Sequence, residues 1–161
     1  MFEDLGNSPA TMGASRAADC YGCMPGHCIQ QADADQAYVQ ADLKGTPCWI
    51  CLPPEQRPAA WSKFRRPVCR LVKALYGHPD SGTYWEQHCD QMVKRVGFAP
   101  IGEEWPSCYF NAALKLLLVL YVDDFKLAGP SAGMEQGWQL LRKHLTMEAA
   151  TPVWVVLGLS T

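Results

Sequence analysis

The sequence lacks a long apolar run and an apolar segment near its start. Its longest apolar run, LLLVLYV at 116–122, is far shorter than the roughly 20 residues of a membrane-spanning helix. The first residues include Glu3 and Asp4 and contain no apolar core, so they do not resemble a secretory signal peptide. We therefore expect an intracellular chain, in the cytoplasm or the nucleus, that does not bind a membrane.

The sequence also lacks an excess of charge of either sign. Its 14 Lys and Arg against 16 Asp and Glu give a formal net charge of −2. No strong global field attracts nucleic acid, so a site for a polyanion must be local or assisted by a metal ion. Repeats and low-complexity tracts are absent as well, while 48% of the 161 residues are hydrophobic. These values exclude a disordered chain and predict one folded domain.

Eight cysteines leave two interpretations open. Cys20-x₂-Cys23 and Cys48-x₂-Cys51 permit a four-thiolate zinc site. Against it stand the 24-residue gap between the two pairs and a predicted strand that places Cys48 and Cys51 on opposite faces. Because no export signal accompanies the cysteines, we interpret them as reduced thiols, most of them buried.

Hydrophobic patterns and turn residues predict the order of the elements. The 12 prolines and 13 glycines indicate short elements. The predicted elements are a helix from Ser8-Pro9 to Gly22, strands at 27–33 and 46–52, a strand and turn at 68–77, a helix from Pro79 to Gly97, strands at 108–113, 115–122 and 125–129, a helix at 134–145 and a strand at 153–159. In the second helix, Trp85, Cys89, Met92 and Val96 form the stripe that faces the core. This order predicts an α+β layered domain with helices on one face of a sheet.

Two adjacent carboxylates follow the longest apolar run. Asp123 and Asp124 stand between the strands predicted at 115–122 and 125–129, a separation typical of a tight hairpin with both acids at its tip. Adjacent anions beside a buried strand repel each other and lose solvation unless a cation compensates. Oxygen ligands without neighbouring His or Cys favour Mg²⁺ over zinc. The alternative is that both acids are ordinary turn residues.

A third carboxylate ends an earlier predicted strand. In QADADQAYVQ (31–40), Asp33 ends the strand and Ala37-Tyr38 follow it. A two-metal phosphoryl-transfer site needs a carboxylate from a second strand, and Asp33 can supply it. The alternative is a solvated acidic turn that contains Asp33, Asp35 and Asp42.

The chain resembles the reverse transcriptases of copia-type retrotransposons. Asp33 with Ala37-Tyr38 looks like their motif A, and Tyr121-Val122-Asp123-Asp124 looks like their motif C. Further similar stretches occur in the expected order, and the match spans about residues 10–159. They are Leu52-Pro53-Pro54, VCRLVKALYG (68–77), Trp85-Glu86, Gly97-Phe98, Cys108-Tyr109-Phe110, YVDDFKLAG (121–129) and Leu157-Gly158-Leu159.

The resemblance implies a fold and an activity. The fold is the right-hand polymerase palm, a ferredoxin-like antiparallel sheet with helices on one face, plus partial fingers. We expect residues 1–161 to form this one domain without a thumb, RNase H, integrase or protease. The implied activity is RNA-directed DNA polymerisation on an RNA or DNA template with a primer, using deoxynucleotide triphosphates. Other parts of a Pol polyprotein are expected partners.

The resemblance also implies roles for individual residues. Asp33, Asp123 and Asp124 would be catalytic and bind two Mg²⁺ ions, for which Mn²⁺ can substitute. Tyr38 would exclude a 2′-hydroxyl, with packing as the alternative role. The remaining assignments are the triphosphate contacts Ala34, Asp35, Gln36 and Ala37, the primer contacts Tyr121 and Val122, and the template contacts Lys63, Arg65 and Arg66, which otherwise form a solvated loop.

One position departs from the family pattern. Family members carry a Lys-Gln pair soon after the Leu-Tyr-Gly turn, whereas His78-Pro79-Asp80 follow Gly77 here. Asp80 then stands where a glutamine would touch the nucleotide, so an anion faces the triphosphate. The alternative function is therefore an inactive retroelement remnant that binds nucleic acid or a protein. His88 and His144 are interpreted as surface or packing residues.

Overall fold

The computed structural model describes residues 10–153, which form one six-stranded sheet, one two-stranded sheet, four α-helices and two short 3₁₀ helices, Pro54–Gln56 and Ala59–Trp61. The helices are α1 (Met12–Gly22), α2 (Ala37–Gln40), α3 (Ser81–Arg95) and α4 (Ser131–Leu141). The strands are β1 (His27–Asp33), β2 (Trp49–Ile50), β3 (Cys69–Arg70), β4 (Ala99–Pro100), β5 (Cys108–Asn111), β6 (Leu116–Tyr121), β7 (Asp124–Pro130) and β8 (Thr151–Pro152). Among these helices, none is long and apolar enough to cross a membrane.

The large sheet has the strand order β4-β5-β6-β7-β1-β8, and every pair of neighbours is antiparallel. Along the chain, β1, α3, β6, β7, α4 and β8 follow one another, while β4 and β5 extend the β6 edge. This is the β-α-β-β-α-β arrangement of ferredoxin-like sheets. The predicted α+β class with an antiparallel sheet is confirmed.

The main core lies between the sheet and the helices α3 and α4. Trp85 of α3 and Trp138 of α4 are fully buried there against Phe125 and Leu127 of β7. Because side chains alternate along a strand, Lys126 and Ala128 of β7 face the other way. Apolar residues on this side of β6 and β7 therefore hold two helices in place.

The other face of the sheet carries α1, so the prediction of helices on one face was wrong for this element. Ala14 and Ala18 of α1 pack against Ile29 and Ala128 in a second, smaller core. Small side chains let the helix approach closely, and a Cβ atom at Gly22 would collide with the side chain of Ile29. The sheet is apolar on both faces at this end, which the short strand sequences do not reveal.

Several predicted boundaries are confirmed or corrected. The strand at 27–33 is confirmed, as are the helix that ends before Gly97 and its core stripe. The first helix begins after Thr11, whose Oγ1 accepts a hydrogen bond from the Ala14 amide; Ser8-Pro9 lies outside the described residues. The last helix is Ser131–Leu141 rather than 134–145. The sequence did not predict α2, because four residues are too few to show the periodicity of a helix.

The predicted strands around the prolines are much shorter than expected. The paired strands are only Trp49–Ile50 and Cys69–Arg70, and an isolated bridge joins Lys73 to Asp42. Prolines at positions 47, 53, 54 and 67 interrupt the ladder. Cys48 and Cys51 both lie outside β2, so they do not occupy strand positions on opposite faces as predicted. Of the strand predicted at 153–159, only Val153 is described, and it lies just after β8.

Candidate active site

The carboxylates lie on the α1 face of the large sheet, at the end that α1 does not cover. Asp33 is the last residue of β1, and Asp124 is the first residue of β7. A cavity of about 380 Å³ separates this end of the sheet from the start of α1, and Asp124, Gln31, Tyr121 and Lys126 line it. The fold thus leaves polar side chains exposed beside the tips of the central strands.

Asp33 and Asp124 stand directly opposite each other in the antiparallel ladder. Burial raises the pKa of Asp124, and hydrogen bonding to Asp33 together with the charge of Asp33 raises it further. Gln31 acts the other way, because its Nε2 donates to Oδ1 of Asp124 over 3.4 Å. Two carboxylates in contact repel each other unless they share a proton or a cation. This pair is therefore a site that favours positive charge.

The hairpin between β6 and β7 differs from its prediction by one residue. Tyr121 pairs with Asp124, so the two-residue loop is Val122–Asp123 and only one of the two acids lies at its tip. Val122 has φ +58°, a conformation that is strained for a β-branched residue. Two hydrogen bonds hold the loop: the Trp85 indole Nε1 donates to the Val122 carbonyl over 2.8 Å, and the Ala34 amide donates to the Asp123 carbonyl over 2.8 Å.

Asp123 is not gathered with Asp33 and Asp124 into a metal-binding group. Desolvation raises the pKa of Tyr76, and the negative charge of the Asp123 carboxylate raises it further. Within residues 10–153, no group of three or more His, Cys, Asp or Glu side chains is arranged to hold a metal ion. The structure therefore brings Asp33 and Asp124 together and does not add Asp123 to the same cluster.

The segment after Asp33 is fixed by internal hydrogen bonds. The Ala34 amide donates to the backbone carbonyl of Asp123, and the Asp35 amide donates to the Thr146 carbonyl over 3.0 Å. The backbone amides of Ala34 and Asp35 are therefore both engaged within the chain. Gln36 adopts a left-handed conformation with φ +49°, and Ala37 is fully buried.

The remaining candidate residues lie in three other segments of the chain. Asp80 precedes α3 and is half-buried; its side chain does not cap the helix. Tyr121 is 57% exposed and Val122 37% exposed. In the segment between β2 and β3, Lys63, Arg65 and Arg66 are exposed. Trp61, Phe64, Arg65 and Arg66 line an open depression of about 400 Å³ there.

Comparison with known proteins identifies the family. A family model described as "Reverse transcriptase (RNA-dependent DNA polymerase)" matches residues 19–161, most of the chain. The chain belongs to the reverse transcriptase family. The predicted resemblance to copia-type reverse transcriptases is confirmed by this match and by the relative described next.

One curated relative of this chain is the retrovirus-related Pol polyprotein from transposon TNT 1-94 of Nicotiana tabacum. It is 27% identical over 135 residues, which cover 81% of this chain and 10% of the polyprotein. The chain thus spans about a tenth of the length of that relative. Among solved structures, telomerase from Candida albicans matches with a TM-score of 0.42 and 12% identity, covering 100% of this chain and 32% of that one.

The donor set at the open end of the sheet fits Mg²⁺ in part. Asp33 and Asp124 supply paired oxygen ligands of the kind that Mg²⁺ prefers, whereas Asp123 is not gathered with them. The cysteines proposed for zinc, Cys20, Cys23, Cys48 and Cys51, are free thiols that form no metal-binding group in the described part of the chain.

Sequence reasoning missed four side chains at the site. Tyr76 stacks on Tyr38, Trp85 holds the hairpin loop, and Gln31 contacts Asp124. Lys126 donates to Asp19 of α1 over 2.9 Å and to Ser15 over 2.7 Å. Strand alternation could have identified Gln31 and Lys126, which lie two residues from Asp33 and Asp124. Tyr76 and Trp85 come from distant segments, and no sequence signal linked them to the loop.

Proposed function

We propose that this chain is the catalytic core of an RNA-directed DNA polymerase that extends a primer 3′-hydroxyl with deoxynucleotides. The observation that carries the proposal is the contact between Asp33 and Asp124 at the open end of the sheet. In this proposal the large sheet with α3 and α4 is the polymerase palm. The segment 41–75, with its two-stranded sheet, is a part of the fingers.

Asp33, Asp123 and Asp124 would hold two Mg²⁺ ions, or Mn²⁺ in their place. Such ions lower the pKa of an attacking hydroxyl and stabilise charge on the phosphoryl oxygens and the leaving pyrophosphate. Asp33 and Asp124 would supply oxygen ligands from two neighbouring strands, and Gln31 would keep Asp124 oriented through its amide. The carboxylate of Asp123 would have to move to join them.

Other residues would bind and orient the substrates. The ring of Tyr38 would exclude a 2′-hydroxyl. The amide of exposed Gln36 is the candidate for triphosphate binding, because the amides of Ala34 and Asp35 are already engaged and Ala37 is fully buried. Asp80 would weaken triphosphate binding by charge repulsion. Tyr121 and Val122, which are exposed at the hairpin, would contact the primer terminus.

The basic segment would hold the template. Lys63, Arg65 and Arg66 are exposed beside Trp61 and Phe64, a combination suited to phosphates and to base stacking. Other parts of a Pol polyprotein would assist, since the tobacco relative is about ten times longer than the matched region.

Primer extension tests the proposal directly. The chain is mixed with a primed RNA template, deoxynucleotides and Mg²⁺ or Mn²⁺, and wild type is compared with Asp123→Asn/Asp124→Asn. We expect extension by wild type and its loss in the double variant, while Asp42→Asn, at an exposed ion pair with Lys73, retains activity. Extension that persists in the double variant would exclude these carboxylates as the catalytic site.

A second function is favoured by the separate position of Asp123 and by the anion at Asp80. The chain would then be an inactive palm that binds nucleic acid. In that case wild type extends no primer, RNA binding is salt-sensitive and unaffected by Asp123→Asn, and Arg65→Ala/Arg66→Ala weakens it. A direct RNA-binding titration at two salt concentrations distinguishes this function from polymerisation.

A further inference from the structure

Two tyrosine rings, one of them from the segment that follows β1, lie against each other. The centroids of Tyr38 and Tyr76 are 4.3 Å apart, and the ring planes differ by 30°. Tyr38 is partly buried and packs against the main core, whereas Tyr76 is 57% exposed. Tyr38 is therefore held between the core on one side and the ring of Tyr76 on the other.

The backbone on each side of this pair is firmly anchored. Tyr38 follows Ala37, which is fully buried in α2. Tyr76 follows Leu75, whose amide donates to Ser81 Oγ over 3.0 Å and whose carbonyl accepts from the same hydroxyl over 2.7 Å. Ser81 is 1% exposed. The position of Tyr76 is thus set by the first residue of α3, and the ring pair links that helix to the segment after Asp33.

We propose that Tyr76 is a positioning residue for sugar selection, which fixes the ring of Tyr38 in the place where it excludes a 2′-hydroxyl. The proposal rests on the polymerase function and names what sets its preference for deoxyribonucleoside over ribonucleoside triphosphates. Tyr76 touches Tyr38 and acts through it. Its role depends on the ring and does not need the hydroxyl.

The physical reason is that the two kinds of nucleotide differ very little in size. A deoxynucleotide and a ribonucleotide differ by one oxygen atom, so a selecting ring must resist displacement by a fraction of an ångström. A tyrosine packed on one side only can rotate aside about its side-chain bonds, and exposed side chains do so within nanoseconds. A second ring on the open side closes this route, and offset aromatic pairs attract each other beyond the area that they bury.

The structure supplies a matched control for loss of an aromatic pair. Tyr21 contacts His27 edge to face, with ring centroids 4.7 Å apart. His27 is the first residue of β1 and Asp33 the last, so this pair lies at the opposite end of the strand. Tyr21→Ala removes a comparable contact away from the site and reveals the effect of general destabilisation.

The test combines two measurements on the full chain. The first measurement is the unfolding constant of wild type, Tyr38→Ala, Tyr76→Ala and the double variant. Together these four constants give the coupling between the rings, which we expect to be about fivefold. Single-nucleotide primer extension gives the preference for deoxyribonucleotides over ribonucleotides. We expect Tyr76→Ala to reduce that preference about tenfold, because one atom in a tight pocket is worth roughly 10- to 200-fold. Tyr76→Phe and Tyr21→Ala should keep it.

Each contrary result has a definite meaning. Independent effects of the two tyrosines on unfolding would overturn the proposal without reference to activity. If the rings are coupled but Tyr76→Ala keeps the sugar preference of wild type, Tyr76 has only a packing role, and this result also overturns the proposal. If wild type incorporates neither nucleotide while the rings are coupled, the polymerase function itself fails, and the selection role falls with it.

Discussion

The indole Nε1 of Trp85 donates a 2.8 Å hydrogen bond to the carbonyl oxygen of Val122. Trp85 is fully buried in α3, and Val122 has a positive φ of 58° in the loop before Asp123 and Asp124. A strained conformation persists only where the surroundings hold it in place. The hydrogen bond and the packing of Trp85 therefore determine how the loop presents the two carboxylates.

Replacement of Trp85 should affect the carboxylates as well as stability. Trp85→Phe removes the indole donor, leaves the Val122 carbonyl without it and should lower the free energy of unfolding by about 2 kcal/mol. Because the loop can then relax, we expect affinity for Mg²⁺ or Mn²⁺ to fall roughly 10- to 100-fold, as is typical of lost support around metal ligands. Calorimetric metal titration and chemical unfolding measure the two effects.

Trp138 provides the control for this substitution. It is also fully buried, in α4, and its Nε1 donates to Gln30 Oε1 over 2.7 Å. Trp138→Phe should cost similar stability and leave metal affinity near that of wild type. Equal losses of metal affinity in both variants would mean that Trp85 contributes only to general stability.

The ion pair between Lys126 and Asp19 should respond unequally to loss of its two members. The side chain of Lys126 is 18% exposed and that of Asp19 is 28% exposed. Asp19→Asn leaves a largely buried ammonium group with Ser15 as its remaining partner, so we expect a loss of about 1–2 kcal/mol. Lys126→Met should cost less, because the methionine fills the space between the sheet and α1 while Asp19 can be hydrated.

Urea unfolding of both variants measures this asymmetry. The exposed pair of Lys73 and Asp42 serves as a reference, since Asp42→Asn should change stability little. A larger loss for Lys126→Met than for Asp19→Asn would contradict the expectation and indicate that the lysine stem, rather than its charge, stabilises α1.

His88 should make stability depend on pH. Burial lowers the pKa of His88 below its ordinary value of 6.5, Lys73 and Lys44 lower it further, and Asp42 partly opposes them. Folded His88 binds a proton more weakly than the unfolded chain does. The neutral form of His88 therefore contributes its whole stabilisation above pH 6.5, the pKa in the unfolded chain. That stabilisation is lost as the pH falls from 6.5 to the lowered pKa of the folded protein.

Thermal unfolding between about pH 7 and pH 5 tests this sign. His88→Gln should remove part of the loss of stability on acidification. His144→Gln, at an exposed position after α4, should leave the pH profile of wild type unchanged. A steeper loss in His88→Gln than in wild type would show that the sign is wrong.

Two helical glycines should respond in opposite ways to alanine. At Gly137 in α4, a Cβ atom would collide with buried Leu116 and lie 3.0 Å from Leu127 Cδ2, so Gly137→Ala should destabilise by about 1–3 kcal/mol. At Gly82 in α3, nothing lies within 4 Å of a Cβ atom, and Gly82→Ala should stabilise by about 0.5–1 kcal/mol. Melting temperatures of the two variants measure the difference; a loss at Gly82 would indicate that its backbone needs glycine.

Local sequence patterns were sufficient for the long elements. The core stripe of Trp85 and Cys89 and the apolar run at 116–122 were recognisable because side-chain periodicity follows directly from helix and strand geometry. The ordered motifs were likewise sufficient for the reverse transcriptase family. The short strands around the prolines were not predictable in length, since their pairing depends on a partner strand some 20 residues away.

The sequence by itself determined the α+β class, the family and the candidate carboxylates Asp33, Asp123 and Asp124. Only the tertiary structure decided that Asp33 contacts Asp124 without Asp123 joining them in a metal-binding group, and that α1 covers the second face of the sheet. The reason is physical: periodicity is a local property of the chain. Ladder register, the φ angle of one loop residue and the packing of small side chains are set by residues far apart in sequence.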